Sequence, residues 1–575
     1  MSGLRGPAGD DRPATGWASS AVRRARQLLP GKAELRTMRR DPRRDLVAGV
    51  TVAVVALPLA LAFGITSGLG AGAGLVTAVI AGVVAAAFGG SNLQVSGPTG
   101  AMTVVLVPIV AQFGPSAVLV VGFLAGLILI GLGATGAGRY MRYIPVPVVE
   151  GFTIGIALII ALQQVPSALG VNAHGEKVIA IAVDAVHQWL LAPQWAEPVI
   201  AGSVAAAMLL AVRFRPTWVV SLPAVVAATV VVSLAAIAVP VIGSIPAGLP
   251  APSLPHVPVS SLSSLLIPAV AVAALGALES LLSATVADGM SVGERHDPDK
   301  ELVGQGLANL VVPFFGGIPA TAAIARTAVN VRSGARSRLA AIIHGVVLLI
   351  VVLLLAPAVA KIPLAALAGV LIATTVQMVE VSSVRALLRS TRGDAVVLVL
   401  TAVATLVFDL VTAVILGLVV AGFFALQQVA REAHVDEIDI PADGGDHEAE
   451  ESALLSEHIV AYRLEGSLFF GAAHSFLLGL SEVSDVRVVI LRLSRVAALD
   501  ATGASVLADT IARLEARNIT VLLSGVRPDH EQVLTRLGVF DELAHERHVF
   551  DSTPGAIEHA RKHAARVQHS SDPTA

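Results

Sequence analysis

Not one of the 575 residues is cysteine, which excludes disulfides, thiolate metal sites and thiol nucleophiles. Charge is scarce too: Asp, Glu, Lys and Arg make up 14% of the chain, against about a quarter in a soluble protein, while 55% of residues are hydrophobic. A chain so short of charge places most of its length in lipid. The sequence has no Walker phosphate loop, no zinc-type His/Glu spacing and no serine-hydrolase elbow, so ATP-driven transport and hydrolysis lack their machinery. An enzyme, a cofactor, a bound metal and a nucleic-acid partner are therefore not expected. The opening MSGLRGPAGDDRPATGWAS has no apolar core behind its charges and does not read as a signal peptide.

What is present begins with a basic run. Arg23, Arg24, Arg26, Lys32, Arg36, Arg39, Arg40, Arg43 and Arg44 precede the first long apolar stretch, which predicts a cytoplasmic N-terminal region over 1–44, disordered to about residue 25. From 45 to 428 apolar runs follow one another at membrane-spanning length. The pattern predicts an α-helical polytopic membrane protein of about fourteen spans, near 46–68, 72–90, 95–112, 116–136, 146–170, 198–213, 218–242, 264–288, 301–315, 320–333, 338–360, 364–380, 394–410 and 411–428. An even number returns the C-terminal region to the cytoplasm.

After Gln428 the composition changes. An acidic linker is expected over 429–454, from Asp436, Glu437, Asp439, Asp443, Asp446, Glu448, Glu450 and Glu451. Over 455–565, IVAYRLEGSLFF, VRVVILRL and ITVLLSGV read as strands, with helices near 503–517, 529–537 and 555–567; the last opens through Ser552, Thr553 and Pro554. That alternation predicts a small α/β domain with a mostly parallel sheet, followed by a disordered tail over 566–575.

Two apolar segments are interrupted in the same way, Val95–Thr103 (VSGPTGAMT) and Gly316–Asn330 (GGIPATAAIARTAVN). Such matched interruptions in two halves of a membrane protein point to a transport site. Gly97 and Gly317 allow a sharp turn, and Pro98 and Pro319 suit a helix start, so each segment reads as an extended approach and a half-helix. The amides of Thr99, Gly100 and Ala101, and of Thr321, Ala322 and Ala323, are then without partners inside the membrane, and an anion satisfies them. The alternative is a pair of kinked helices packed through small residues. Two charges also fall inside spans, Glu279 and Arg326, with Ser280 beside Glu279 and Ser283 one turn on. They form either a static ion pair or an anion-attracting arginine with a coupling carboxylate. His344, Gln163, Gln164 and Asp409 read as structural, and Asp288, Glu294, Asp297, Asp299, Lys300 and Glu301 as a solvated loop.

LPLALAFGITSG, VSGPTGAMTVV, ELVGQGLANL, FFGGIPATAAIARTAVNVRSG and LDATGAS together resemble the SulP (sulfate permease) family over about residues 35–565. The resemblance implies a seven-plus-seven inverted repeat with core and gate domains moving as an elevator. It also implies a homodimer and a C-terminal STAS domain that offers a surface to a cytoplasmic protein. By position it places substrate at Phe63, Thr99, Gly100, Ala101, Thr321, Ala322, Ala323 and Arg326, with Glu279 and Ser283 in coupling. Sodium-coupled bicarbonate members carry Asp and Thr where this chain has Glu279 and Ser283, and lack the arginine. ESLLSATVADGM with PATAAIAR is more similar to members with a Glu/Arg pair, among them proton-linked sulfate and C4-dicarboxylate carriers. Sulfate with a proton is the first expectation; bicarbonate or dicarboxylate symport with a proton or sodium, and an exchanger or channel, are the alternatives. Asp500 is followed by Ala501 where related anti-sigma antagonists carry a phosphorylatable serine, with Thr502 next.

Overall fold

A computed structural model of the chain describes residues 37–432 except 176, 215–218, 247, 255–261, 292–294 and 409, together with 434–437, 458–468, 486–545 and 548–570. The expected N-terminal disorder, most of the acidic linker, Glu294, Asp409 and the tail beyond 570 lie outside the described residues. The chain divides into two compact units between Val419 and Val420, inside the helix Leu410–Glu432 that closes the first.

The first unit is helical. Its first half runs α1 (Pro42–Thr66), α2 (Ala71–Phe88), the two-residue strand β1 (Ser96–Gly97), α3 (Gly100–Phe113), α4 (Pro115–Thr135), α5 (Val146–Leu169), α6 (Val178–Leu191), α7 (Ala196–Phe214) and α8 (Ser221–Leu234). The second half runs α9 (Leu262–Met290), α10 (Pro298–Val311), β2 (Thr321–Ala322), α11 (Ile324–Arg332), α12 (Leu339–Val359), α13 (Leu364–Met378), α14 (Val381–Ser390), α15 (Arg392–Val407) and α16 (Leu410–Glu432). Element for element, the second half repeats the order of the first. With the short helices α6 and α14 set aside, each half carries seven apolar segments, and an odd number inverts one half against the other. Ser96 pairs with Ala322 and Gly97 with Thr321, antiparallel, as inverted halves require.

Eight of the described helices have the length and apolar composition to cross a membrane unaided. Leu354, 72% exposed, and Ile267, 81% exposed, lie on such helices, so the exterior there is suited to lipid rather than water. At 1.5 Å per residue, α3 is only about 21 Å long, short of a hydrocarbon core of about 30 Å. The interrupted segments are half-helices preceded by strand, not kinked continuous helices.

Two helices lie where the sequence predicts none. Helix α6 buries only Ala182 and Ala185, and α14 has no buried residue. Each keeps polar groups on one face, Asp184 and Gln188 on α6, Arg385 and Arg389 on α14. A reading based on mean apolarity passes over such amphipathic helices.

Close approach through small residues sets the helix packing. A Cβ on Gly126 of α4 would lie 2.8 Å from the Gly306 carbonyl of α10, and one on Gly306 would lie 2.7 Å from the Gly126 carbonyl. Gly74 of α2 is seated just as tightly on Gly64 and the Ala60 carbonyl of α1.

The second unit is a five-stranded sheet in the order β3 (His434–Glu437), β4 (Ile459–Leu468), β5 (Val488–Leu499), β6 (Thr520–Ser524), β7 (Val549–Phe550). Strand β3 is antiparallel to β4, and the remaining pairings are parallel. The predicted three-strand core is thus extended at both edges, and Asp436 and Glu437 sit in an edge strand where solvated linker was expected. Helices α17 (Ala501–Glu515) and α18 (Pro528–Arg536) contribute Leu507, Ile511, Leu514 and Leu534 to one apolar layer; α19 (Thr553–Ser570) contributes Ala556, Ile557, Ala560 and Ala564 to the other.

Overpacking where only backbone faces the new side chain costs at least about 1–3 kcal/mol. Gly126→Leu is therefore expected to lower the thermal unfolding midpoint of detergent-purified protein. Gly131→Leu on the same helix, where a Cβ meets nothing within 4 Å, should leave it unchanged.

Candidate functional site

The two half-helices start at different offsets from their prolines. Thr99 is the N-cap of α3 and accepts from the Met102 amide at 3.3 Å, which leaves the amides of Gly100 and Ala101 open in the first turn. In the second half, Ala320, Ala322 and Ala323 are already satisfied: Ala320 N donates to Asn309 Oδ1 at 2.8 Å, Ala322 N to Ser280 Oγ at 3.3 Å and Ala323 N to the Val95 carbonyl at 3.0 Å. Helix α11 begins at Ile324, so its open first-turn amides belong to Ile324, Ala325 and Arg326. The expectation that Ala322 and Ala323 present free donors is corrected on this point, because β2 (Thr321–Ala322) precedes the helix, and it and its continuation are bonded to Ser280 and Val95. Thr321 is fully buried and turned toward α9, its hydroxyl 3.0 Å from Ser280 Oγ and 3.3 Å from the Gly276 carbonyl.

The two intramembrane charges converge on consecutive residues of the first interruption. Arg326, only 1% exposed, donates from Nη2 to the Pro98 carbonyl at 2.7 Å. Glu279, partly accessible, accepts from the Thr99 hydroxyl at 2.8 Å through Oε2. No ion pair joins them among the described residues. Nη1 of Arg326 is buried and has no hydrogen-bond partner among the described residues. It lies against Gly97, where a Cβ would sit 2.5 Å away, so glycine at 97 makes room for the guanidinium. Gly100 does the same for Phe63 and Ile160: its Cβ would be 3.1 Å from Phe63 Cε1 and would overlap Ile160 Cδ1. Phe63, Thr99, Gly100, Ala101 and Arg326 are thus assembled around one helix start. Ser283, expected beside Glu279, instead donates to Thr327 Oγ1 at 2.9 Å, and that same oxygen accepts from Val95 N at 3.1 Å.

A stripe along α10 was not among the expected site residues. Glu301, Gln305 and Asn309 repeat every four residues on one buried face. Glu301 Oε2 accepts from the amides of Gly90 at 2.8 Å and Ser91 at 3.1 Å. Gln305 Nε2 donates to Glu301 Oε1 at 2.9 Å and Ser96 Oγ at 2.6 Å, while the Asn309 amide holds both the N–H and the C=O of Ala320 at 2.8 Å. Glu301 and Lys300, expected in a solvated loop, are 2% and 6% exposed. Asp297 caps α10 and Asp288 accepts from His296. The spacing 301, 305, 309 is the signal by which this stripe is legible.

His344 is fully buried beside Gly82. Gln163 and Gln164 line a cavity of about 210 Å³ with Ala62, Thr66, Ser167 and Leu364, away from Glu279 and Arg326. In the second unit, Asp500 caps α17 by accepting from Gly503 N at 2.7 Å. Three histidines, His548, His559 and His563, also come together there. His559 and His563 lie four residues apart on α19.

A polytopic helical bundle in which two broken segments from inverted halves bring helix starts and a buried arginine together defines a membrane transporter, not an enzyme. Residues 43–401 match the model of the sulfate permease family and residues 452–556 that of the STAS domain. The chain belongs to the sulfate permease family and is an anion transporter with a C-terminal STAS domain. It is 35% identical over 530 residues to the putative sulfate transporter YvdB of Bacillus subtilis (strain 168), covering 88% of this chain and 96% of that one. Identity is 30% over 527 residues with the bicarbonate transporter BicA of Picosynechococcus sp., covering 88% and 92%. The fold matches the murine Solute Carrier 26 family member A9 anion transporter with a TM-score of 0.80 at 18% identity, covering 94% of each chain.

Replacing Asn309 by Leu leaves the buried N–H and C=O of Ala320 unpaired, at roughly 1–3 kcal/mol for each group. The expected outcome is a clear fall in the unfolding midpoint in detergent; an unchanged midpoint would mean that this amide does not hold the approach to β2.

Proposed function

We propose that the protein carries a small oxyanion, sulfate foremost, across the cell membrane together with protons, as a secondary active transporter. The observation that carries this reading is Arg326 Nη1, a buried cationic donor without a partner beside the open amides of Gly100 and Ala101. A charge in the bilayer centre costs on the order of 3 kcal/mol or more, so a cation left unpaired there needs a counter-ion. An oxyanion supplies one and accepts the helix-start amides at the same time. Glu279 is the coupling group in this reading. Ionised, it repels an anion and engages the Thr99 hydroxyl; protonated, it removes that negative charge from the edge of the site. Proton and anion then bind together, and the core carrying both half-helices moves past the gate.

The likeness to proteins named as sulfate transporters supports the cargo, and the likeness to BicA favours bicarbonate as the second reading. The basic residues before α1 support cytoplasmic termini, and the inverted halves support an elevator movement. The proposal also includes a homodimer, and a cytoplasmic protein partner at the STAS domain.

Purified protein in proteoliposomes with labelled sulfate and an imposed pH gradient tests this. Arg326→Ala should weaken sulfate affinity at least about 10-fold; unchanged affinity would remove Arg326 from the site. Glu279→Gln is expected to lose accumulation driven by the pH gradient, and concentrative uptake by that variant would end the coupling assignment. Gly97→Ala, which displaces the guanidinium without removing it, should reproduce a weaker form of the Arg326→Ala defect, read as a rise in KM for sulfate.

A further inference from the structure

Three histidines of the second unit converge at the edge of the sheet. His548 immediately precedes β7 and is 3% exposed, whereas His559 and His563 lie one turn apart on α19, both partly buried. One nitrogen from each lies within 4.8 Å of the others. The ring centroids are 5.6 Å apart for His548 and His559, 5.2 Å for His548 and His563, and 5.0 Å for His559 and His563. Nδ1 of His548 is buried and has no hydrogen-bond partner among the described residues. Buried polar atoms are nearly always satisfied, so a buried histidine with an orphan nitrogen, set against two further imidazoles, calls for a further group among them.

We propose that His548, His559 and His563 bind one divalent transition-metal ion of the zinc class. The donor set is all imidazole, which suits zinc, nickel and copper and does not suit magnesium or calcium, whose ligands are oxygens. Two histidines four residues apart on a helix present their rings on one face and chelate a single ion. A tetrahedral ion with bonds of about 2.0–2.1 Å needs nitrogens about 3.3 Å apart. The partly buried rings on α19 close that gap by side-chain rotation. Three protein ligands leave a fourth position for water; His545, exposed, has its ring centroid 5.9 Å from that of His548 and stands outside the three. The ion ties α19 to β7, a strand of two residues at the edge of the sheet, adding a directional link to the apolar layer of Ala556, Ile557, Ala560 and Ala564.

The test uses the full chain purified in detergent, stripped with chelator and titrated with zinc chloride. One zinc per chain, retained through desalting, is expected, together with a raised unfolding midpoint. Cobalt(II) in its place should give the visible absorption of a tetrahedral site. The double variant His559→Gln/His563→Gln should lose about 100-fold or more in zinc affinity, as loss of two of three ligands requires. His187→Gln on α6 should bind as the parent does. Should the double variant fail to fold, His563→Gln alone serves: loss of the cobalt absorption supports the site, and an unchanged spectrum overturns it. Absence of stoichiometric zinc in the parent, or equal affinity in parent and double variant, also overturns it.

Discussion

Ala320 is held at both its backbone N–H and its C=O by one side-chain amide, that of Asn309, and much of the membrane unit follows from the need for such contacts. Hydrocarbon offers no water to a backbone that leaves its helix. Each interruption therefore has to be satisfied from within. The two meet as a two-residue antiparallel ladder, Thr77 bonds both N and O of Ile318, and Asn330 takes the Leu93 carbonyl. Gln94 donates to the Ser280 carbonyl and Thr327 accepts from Val95. The Glu301, Gln305 and Asn309 stripe of α10 serves both halves at once, since its partners lie before and within β1 and before β2.

Against that satisfied background the few open groups stand out. Gly100, Ala101, Ile324 and Ala325 offer first-turn amides, and Arg326 offers Nη1. The pairing of β1 with β2 sets the guanidinium of Arg326 against Gly97 and the Pro98 carbonyl, just before the start of α3. Glycine at 97 and 100 keeps that place open, one for a guanidinium and one for the ring of Phe63. Glu279 reaches the same spot from α9 through Thr99, so a carboxylate and a guanidinium share a helix start without touching.

The C-terminal unit obeys different physics. Water satisfies its surface, and its stability comes from two apolar layers on a parallel sheet. Asp500 of the LDATGAS motif is tied up as a helix cap. His548, just before β7, and His559 and His563, one turn apart on α19, become neighbours because the short connection after β7 folds α19 back against the sheet.

Composition and apolar periodicity carried the class, the succession of spans and the α/β character of the C-terminal unit, because each depends on local solvent preference repeated over many residues. The Gly/Pro interruptions and the charges at 279 and 326 were legible for the same reason: they are costly where they stand. The amphipathic helices α6 and α14 were not, since mean apolarity averages out a two-faced helix. Nor were the start of α11 at Ile324, the absence of a Glu279–Arg326 ion pair, or the burial of Glu301. Those depend on which distant backbone atom lies within 3 Å, as Val95 does of Ala323, and Gly90 and Ser91 of Glu301 to within about that distance. Hydrogen-bond partners hundreds of positions apart are set by the folding of one half against the other, and no local pattern encodes them.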